Sequence, residues 1–276
     1  MRVGIIGLGQ MGEAIARGLQ QSKQSPAFQV LASTRTEEKA KLGSQALGIS
    51  CSTQNAWVVD QAQVVLLCVK PHQAQKVLKE VAFSLNSDQL LISIAASVTT
   101  EQLTAWSQNR VPVIRAMPNT PCLVGQGMTV LCAGARVLSS HLDRAREIFG
   151  FLGRTAVVDE SLMDAATGLS GCGPAYVYLI IEALSEAGVK LGLPRELSTV
   201  LAAQTLAGAS EMALQRNVHP ASLKDEVTTP AGCTIDGLMA LEEGKLRVTL
   251  IKAVLAASDR SRKLRQQVTA PAEPIS

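Results

Sequence analysis

Residues 7–12 read Gly7-Leu8-Gly9-Gln10-Met11-Gly12, a match to G-x-G-x-x-G. An apolar run, Val3–Ile6, precedes it, and a helical pattern from Met11 to Gln21 follows. Between a strand and a helix, this spacing predicts a dinucleotide site. Gly7 permits the tight turn, Gly9 lets the backbone approach a pyrophosphate, and Gly12 lets helix and strand pack closely. The helix N-terminus then offers N–H groups to the anion. The next strand ends in Ala32-Ser33-Thr34-Arg35-Thr36, with no acid. An acid there would bond the ribose hydroxyls of NAD. The Ser33 and Thr34 hydroxyls and the Arg35 fork instead suit a 2′-phosphate. The expected cofactor is NADPH, with NADH weaker. Asn55 adds a hydrogen bond on the adenosine side. The structural alternatives are a glycine-rich turn without ligand and an Arg35 that points to solvent.

Further segments sit at expected strand ends, where parallel sheets bind ligands. Val69-Lys70-Pro71 follows the apolar run Val64–Val69. Pro71 stops the strand and fixes entry to a helix. At the next strand end, the small side chains of Ala95-Ala96-Ser97 leave room for a nicotinamide ribose. Met117-Pro118-Asn119-Thr120-Pro121 is a stiff loop suited to positioning a ring. Ser170-Gly171-Cys172-Gly173-Pro174-Ala175-Tyr176 opens a helix with Pro174 in its first turn. Cys172 has no histidine near it in sequence, which argues against a nucleophile. Thr229-Pro230-Ala231-Gly232-Cys233-Thr234-Ile235 leads small residues into another helix. Its exposed N–H groups form a second anion site, able to hold a carboxylate without arginine. The structural alternative is a plain helix cap by Thr234.

The elements that carry these loops alternate through the first half. Strands are expected at Arg2–Ile6, Gln29–Ser33, Val64–Val69, Leu90–Ala95, Val111–Ala116, Met128–Cys132 and Thr155–Val158, with helices between them. That order predicts a doubly wound, mostly parallel α/β Rossmann sheet. After Asp159 the periodicity is helical throughout, with Ala175–Leu191, Arg195–Gln215 and Ile235–Arg265 as the long segments. The expected organisation is a cofactor-binding domain over 1–159, an all-helical domain over 160–267 and a disordered tail over 268–276. A helical unit with such an apolar surplus calls for a second copy to cover it.

Composition removes other classes. Net charge is +3 and aromatics are 3%, too little basic surface and too few rings for a nucleic-acid binder. The six cysteines form no C-x-x-C and the three histidines are scattered, so no metal site is expected. Cys68 and Cys132 lie in apolar runs, as buried thiols of a reducing compartment. No signal peptide precedes the first strand, and the longest uncharged stretch is broken by glycines and Pro174. The expectation is a cytoplasmic protein acting on a small molecule, without membrane or nucleic-acid partners.

From Val3 to about Leu264 the chain resembles pyrroline-5-carboxylate reductase. The segments at 69–71, 117–121, 170–176 and 229–235, in that order, carry the likeness. The resemblance implies reduction of 1-pyrroline-5-carboxylate to L-proline with NAD(P)H, the last step of proline synthesis. It implies a helical domain that interlocks with a partner chain, making a homodimer and often a decamer of dimers. It implies that the backbone of Gly232, Cys233 and Thr234 binds the substrate carboxylate, with the Thr234 hydroxyl near the ring nitrogen as the catalytic group. The cofactor would lie against Gly7–Gly12, Ser33–Arg35, Asn55, Val69–Pro71, Ala96, Met117 and Pro118. The family often has Gly where this chain has Ser97 and Ala231, Ser or Gly at Cys172, and Thr or Ala at Cys233. Two rival readings are a β-hydroxyacid dehydrogenase, with Lys190 as base, and a sensor that binds NADP(H) without turnover.

Overall fold

The computed structural model describes residues 1–21 and 28–269. Its first half runs β1 (Arg2–Ile6), α1 (Gln10–Gln21), β2 (Gln29–Ser33), α2 (Glu37–Leu47), β3 (Ser50–Ser52), α3 (Asn55–Gln61), β4 (Val64–Leu67), α4 (Pro71–Val81), β5 (Leu90–Ser93) and α5 (Thr100–Trp106). It continues through β6 (Val113–Met117), β7 (Gly127–Ala133), α6 (Ser139–Gly150) and β8 (Gly153–Val157). The strands form one sheet in the order β3-β2-β1-β4-β5-β6-β7-β8. Every neighbouring pair is parallel except β6–β7, which is antiparallel across the short 3₁₀ turn Thr120–Val124.

The central strands are apolar on both faces because helices cover both faces. Alternation along β4 separates them: Val64 and Leu66 join one core with α1 and α6, while Val65 and Leu67 join the other with α3 and α4. The strand order reverses between β1 and β4, and that switch point opens a crevice at their carboxyl ends.

After β8 the described chain is helical. A 3₁₀ turn (Glu160–Leu162) leads to α7 (Met163–Ala166) and a π turn (Thr167–Gly171). Then come α8 (Gly173–Lys190), α9 (Arg195–Arg216), α10 (Pro220–Glu226), α11 (Cys233–Glu243) and α12 (Leu246–Thr269). The chain forms two compact units. One holds residues 1–171 with the described residues from Ala256 on, and the other is Cys172–Leu255.

Several boundaries differ from expectation. β3 was missed; it is three residues long and polar, too short for a period of two. The helix expected over Ile235–Arg265 is two, because Gly244 ends α11 and Lys245 turns left-handed at φ 56°. β4 stops at Leu67, so Cys68 and Val69 belong to the loop. α12 continues to Thr269, so the first two residues of the tail expected over 268–276 are helical, and the rest of it lies outside the described residues. Among the described residues no helix is long and apolar enough to cross a membrane.

Candidate functional site

In the first unit the glycine loop joins β1 to α1. Gly7 has φ 96°, and a Cβ there would lie 3.0 Å from both the Cys68 carbonyl and Val69 Cγ1. Gly12 is tighter: a Cβ would meet the Gly7 carbonyl oxygen at 2.4 Å. Gly9 faces open space within 4 Å. Two glycines therefore shape the loop, and the third leaves a cradle that a pyrophosphate fits. The Glu13 N–H donates to the Gly9 carbonyl at 2.8 Å and begins the ladder of α1. The N–H groups of Gln10, Met11 and Gly12 in the first turn precede that bond and remain available to an anion. Glu13 itself is paired with Arg17 at 2.6 Å, which offsets its charge beside the cradle. Leu8 turns away and packs where Gly43 of α2 has no side chain.

At the β2 tip the three expected phosphate contacts part company. Ser33 is fully buried and its hydroxyl donates to Asn55 Oδ1 at 2.7 Å. Asn55 Nδ2 donates in turn to Glu80 Oε1 at 3.1 Å. Thr34 is buried and donates to the Thr36 carbonyl at 3.0 Å. Ser33, Thr34 and the Asn55 side chain thus fix the shape of the tip, and the exposed Arg35 is the side chain free to meet a phosphate. Arg35→Asp is expected to raise the KM for NADPH far more than that for NADH in steady-state kinetics. Equal effects would remove the 2′-phosphate from this tip.

Val69 covers Gly7, and Lys70 precedes Pro71, the first residue of α4, with its side chain exposed. Pro71 lacks only an N–H that a first-turn residue leaves unbonded. After β5, Ala96 keeps some surface while Ser97 is buried with φ 61°. Pro118 is buried, and Met117 Cε would lie 2.7 Å from a Cβ on Gly171.

Beneath these loops lies a polar cluster that sequence reasoning missed. Arg115 of β6 is 1% exposed and donates to Glu160 Oε1. The other Glu160 oxygen accepts from the Thr100 N–H at 3.0 Å and the Thr100 hydroxyl at 2.8 Å. Burial pushes the Glu160 carboxyl up, but the Thr100 bonds and the Arg115 charge outweigh it and hold the group below its ordinary value. Burial and then the Glu160 charge push the Cys132 thiol up to about 12. Burial likewise pushes the Cys68 thiol up to about 12, though the residue as a whole keeps some surface. Both thiols are unreactive at neutral pH. The one signal for the cluster was a lone Arg inside the apolar strand Val113–Met117.

In the second unit, α11 starts at Cys233 with Gly232 as its N-cap and no side-chain capping bond. Thr234 is therefore not the cap, and its partly exposed hydroxyl has no hydrogen-bond partner among the described residues. The Gly232 N–H donates to the Thr229 carbonyl at 3.0 Å, and a Cβ on Gly232 would meet Thr229 Oγ1 at 2.4 Å. The turn that results leaves the first N–H groups of α11 open to a carboxylate. Ala231 holds φ 57° in this turn. Left-handed backbone costs a side chain about 1–2 kcal/mol, partly offset by the entropy glycine loses on folding. Ala231→Gly and Ser97→Gly are each expected to raise Tm by about 2 °C, read by calorimetry. Unchanged or lowered Tm for both would show that neither position is strained. Lys190 is exposed in the last turn of α8, an ordinary place for a helix-terminal cation.

Comparison with known proteins covers both units. Residues 160–264 match the family model for pyrroline-5-carboxylate reductase dimerisation. Residues 2–97 match the model for coenzyme F420-dependent NADP oxidoreductases. A pyrroline-5-carboxylate reductase of Arabidopsis thaliana is 40% identical over 266 residues, 96% of each chain. The solved pyrroline-5-carboxylate reductase of Coxiella burnetii superposes with a TM-score of 0.89 at 36% identity, covering 95% of this chain and 97% of that one. That of Plasmodium falciparum, with NADP bound, gives 0.84 at 34% identity over 96% and 98%.

Proposed function

The chain belongs to the pyrroline-5-carboxylate reductase family, and we infer that it reduces 1-pyrroline-5-carboxylate to L-proline with NADPH. The observation that carries this reading is the start of α11, where open backbone donors and an uncommitted Thr234 hydroxyl stand side by side. Bound NADPH supplies the hydride. The N–H groups of Cys233 and Thr234 hold the substrate carboxylate and so orient the ring, while the Gly232 N–H, expected to join them, is taken by the Thr229 carbonyl and shapes the turn. The Thr234 hydroxyl donates to the ring nitrogen, and an imine so bonded accepts hydride more readily. In a site closed to water, one such bond lowers the barrier by about 2–4 kcal/mol. On the cofactor side, Gly7–Gly12 holds the pyrophosphate and Arg35 the 2′-phosphate. Ser33, Thr34 and Asn55 shape that pocket, and Val69–Pro71, Ala96, Met117 and Pro118 wall it.

Residues 1–159 serve as the NADP(H) domain and 160–267 as the dimerisation and substrate domain. The match of the dimerisation model to 160–264 supports the second. The working unit is a homodimer, assembled further into a decamer, in the cytoplasm. Apolar side chains left open on the helical unit support pairing: Leu179 is 65% exposed, Val200 62% and Ile251 55%. The six free cysteines fit a reducing compartment.

The direct test is consumption of NADPH with racemic 1-pyrroline-5-carboxylate. Thr234→Ala is expected to lower kcat with little change in NADPH binding, and Thr234→Ser to keep most activity. If Ala and Ser behave alike, the hydroxyl is not the catalytic group. Oxidation of hydroxyisobutyrate or 6-phosphogluconate without pyrroline reduction would establish the hydroxyacid dehydrogenase reading instead. NADPH binding with no turnover of any of these would establish the sensor.

A further inference from the structure

We propose that Asn119 is a positioning residue, whose amide locks the Met117–Pro118 wall to the π turn Thr167–Gly171 so that the two move as one body. The inference rests on the reductase reading of that wall as part of the cofactor pocket. Asn119 lies between Pro118 and Thr120-Pro121, and the two prolines have no N–H with which to tie the loop down. Its side chain makes the ties instead. Nδ2 donates to the Ser170 carbonyl at 3.1 Å, and Oδ1 accepts from the Met128 N–H at 2.9 Å. Its own carbonyl accepts from the Cys122 N–H at 3.1 Å and begins the 3₁₀ turn. One planar amide thus holds the loop to β7 on one side and to the π turn on the other. A side-chain amide offers the donor and the acceptor from one rigid group.

A separate observation reaches the same two segments. Gly171 ends the π turn, and the Met117 terminal methyl fills the place where its side chain would stand. Met117 and Gly171 interlock, and Asn119 bonds their neighbours. π turns are wider than α-helical ones and recur at functional sites. Here the Ser170 hydroxyl bonds back to the Ala166 carbonyl at 3.0 Å, and the Ser170 carbonyl, whose partner four residues on would be Pro174 with no N–H, accepts from Asn119. A shift of the wall by about 1 Å is enough to cost about a hundred-fold in rate. A lock on the wall therefore acts on turnover without touching the reacting atoms.

The variant that tests this is Asn119→Asp. A carboxylate keeps the acceptor for the Met128 N–H but sets an oxygen against the Ser170 carbonyl. Hydrogen exchange is measured on the cofactor-free protein, together with NADPH binding by fluorescence, Tm and kcat. The expected result is exchange over 167–172 faster by about ten-fold or more, kcat lowered by about ten-fold or more, and NADPH binding within about three-fold of the parent. Gly171→Ala displaces the Met117 methyl without altering Asn119, and the same faster exchange and lowered kcat are expected from it. This second variant carries the test if Asn119→Asp does not fold. Unchanged exchange over 167–172 in the folded variant overturns the lock. Faster exchange with kcat unchanged overturns its role in positioning, and a lowered Tm with kcat unchanged assigns Asn119 to stability alone. Turnover by the parent enzyme tests the reductase reading separately, and exchange reads the lock whatever the reaction is.

Discussion

Glu160→Gln is expected to destabilise the protein by about 3 kcal/mol, the low end of the range for breaking a buried pair. The Arg115 guanidinium is almost wholly buried, whereas the Glu160 side chain is 27% exposed, so solvent relieves part of the loss. For a chain of this size, Tm falls by about 6–12 °C. Replacing both partners by apolar residues, Arg115→Met with Glu160→Leu, is expected to cost less than the single change, because no buried charge is orphaned. The pH dependence has a definite sign. Glu160 has a folded-state pKa held below its unfolded value. Its contribution is full above the ordinary carboxylate range, near about 4.3, and fades as pH falls through the lower folded value. A denaturation series in the parent and in Glu160→Gln should therefore differ most near neutrality and converge in acid. A single mutant as stable as the parent at pH 7 would mean that the pair contributes nothing.

Gly12→Val is expected to abolish NADPH binding while the helical unit stays folded. Its Cβ would stand 2.4 Å from a backbone oxygen, and backbone cannot swing aside as a side-chain end can. The loop must move by about 1 Å, enough for about a hundred-fold loss in kcat/KM before the added methyls are counted. The same variant tests whether each site draws on two chains. Co-refolding Gly12→Val with Thr234→Ala gives heterodimers that hold one intact site if the cofactor loop of one chain serves Thr234 of the other. Random pairing makes about half the dimers mixed, so about a quarter of the parent activity should return. No recovery in verified heterodimers would assign both elements to one chain.

The centre of the sheet was legible because β4 and β5 are apolar and buried on both faces, which no other element of that length requires. Gly7, Gly9 and Gly12 were legible as a set because each does a different steric task at a fixed spacing. The β2 tip was only half legible. The residue types promised hydroxyls for a phosphate, but burial of Ser33 under α3 and its bond to Asn55 depend on a contact 22 residues away. The Arg115–Glu160 pair spans 45 residues and carries no periodic signal. Thr234 was open to two readings, and the difference lay in one backbone angle: Gly232 takes the extended N-cap conformation, so Thr234 falls inside the helix. Ala231 and Ser97 looked like harmless small-residue changes until their positive φ values marked them as strained.

The residues of the second unit are inserted between two parts of the first, and the return of α12 has a consequence for synthesis. Asp164 is buried at 4% exposure, and its carboxylate accepts from the Ser261 hydroxyl at 2.8 Å and pairs with Arg265 at 3.1 Å. Ser261 leaves the ribosome 97 residues after Asp164. At about 5–20 residues per second that is a wait of about 5–20 s. Throughout that interval the nascent first unit carries a carboxylate with neither of its α12 partners, so it is finished only after the whole second unit has been made.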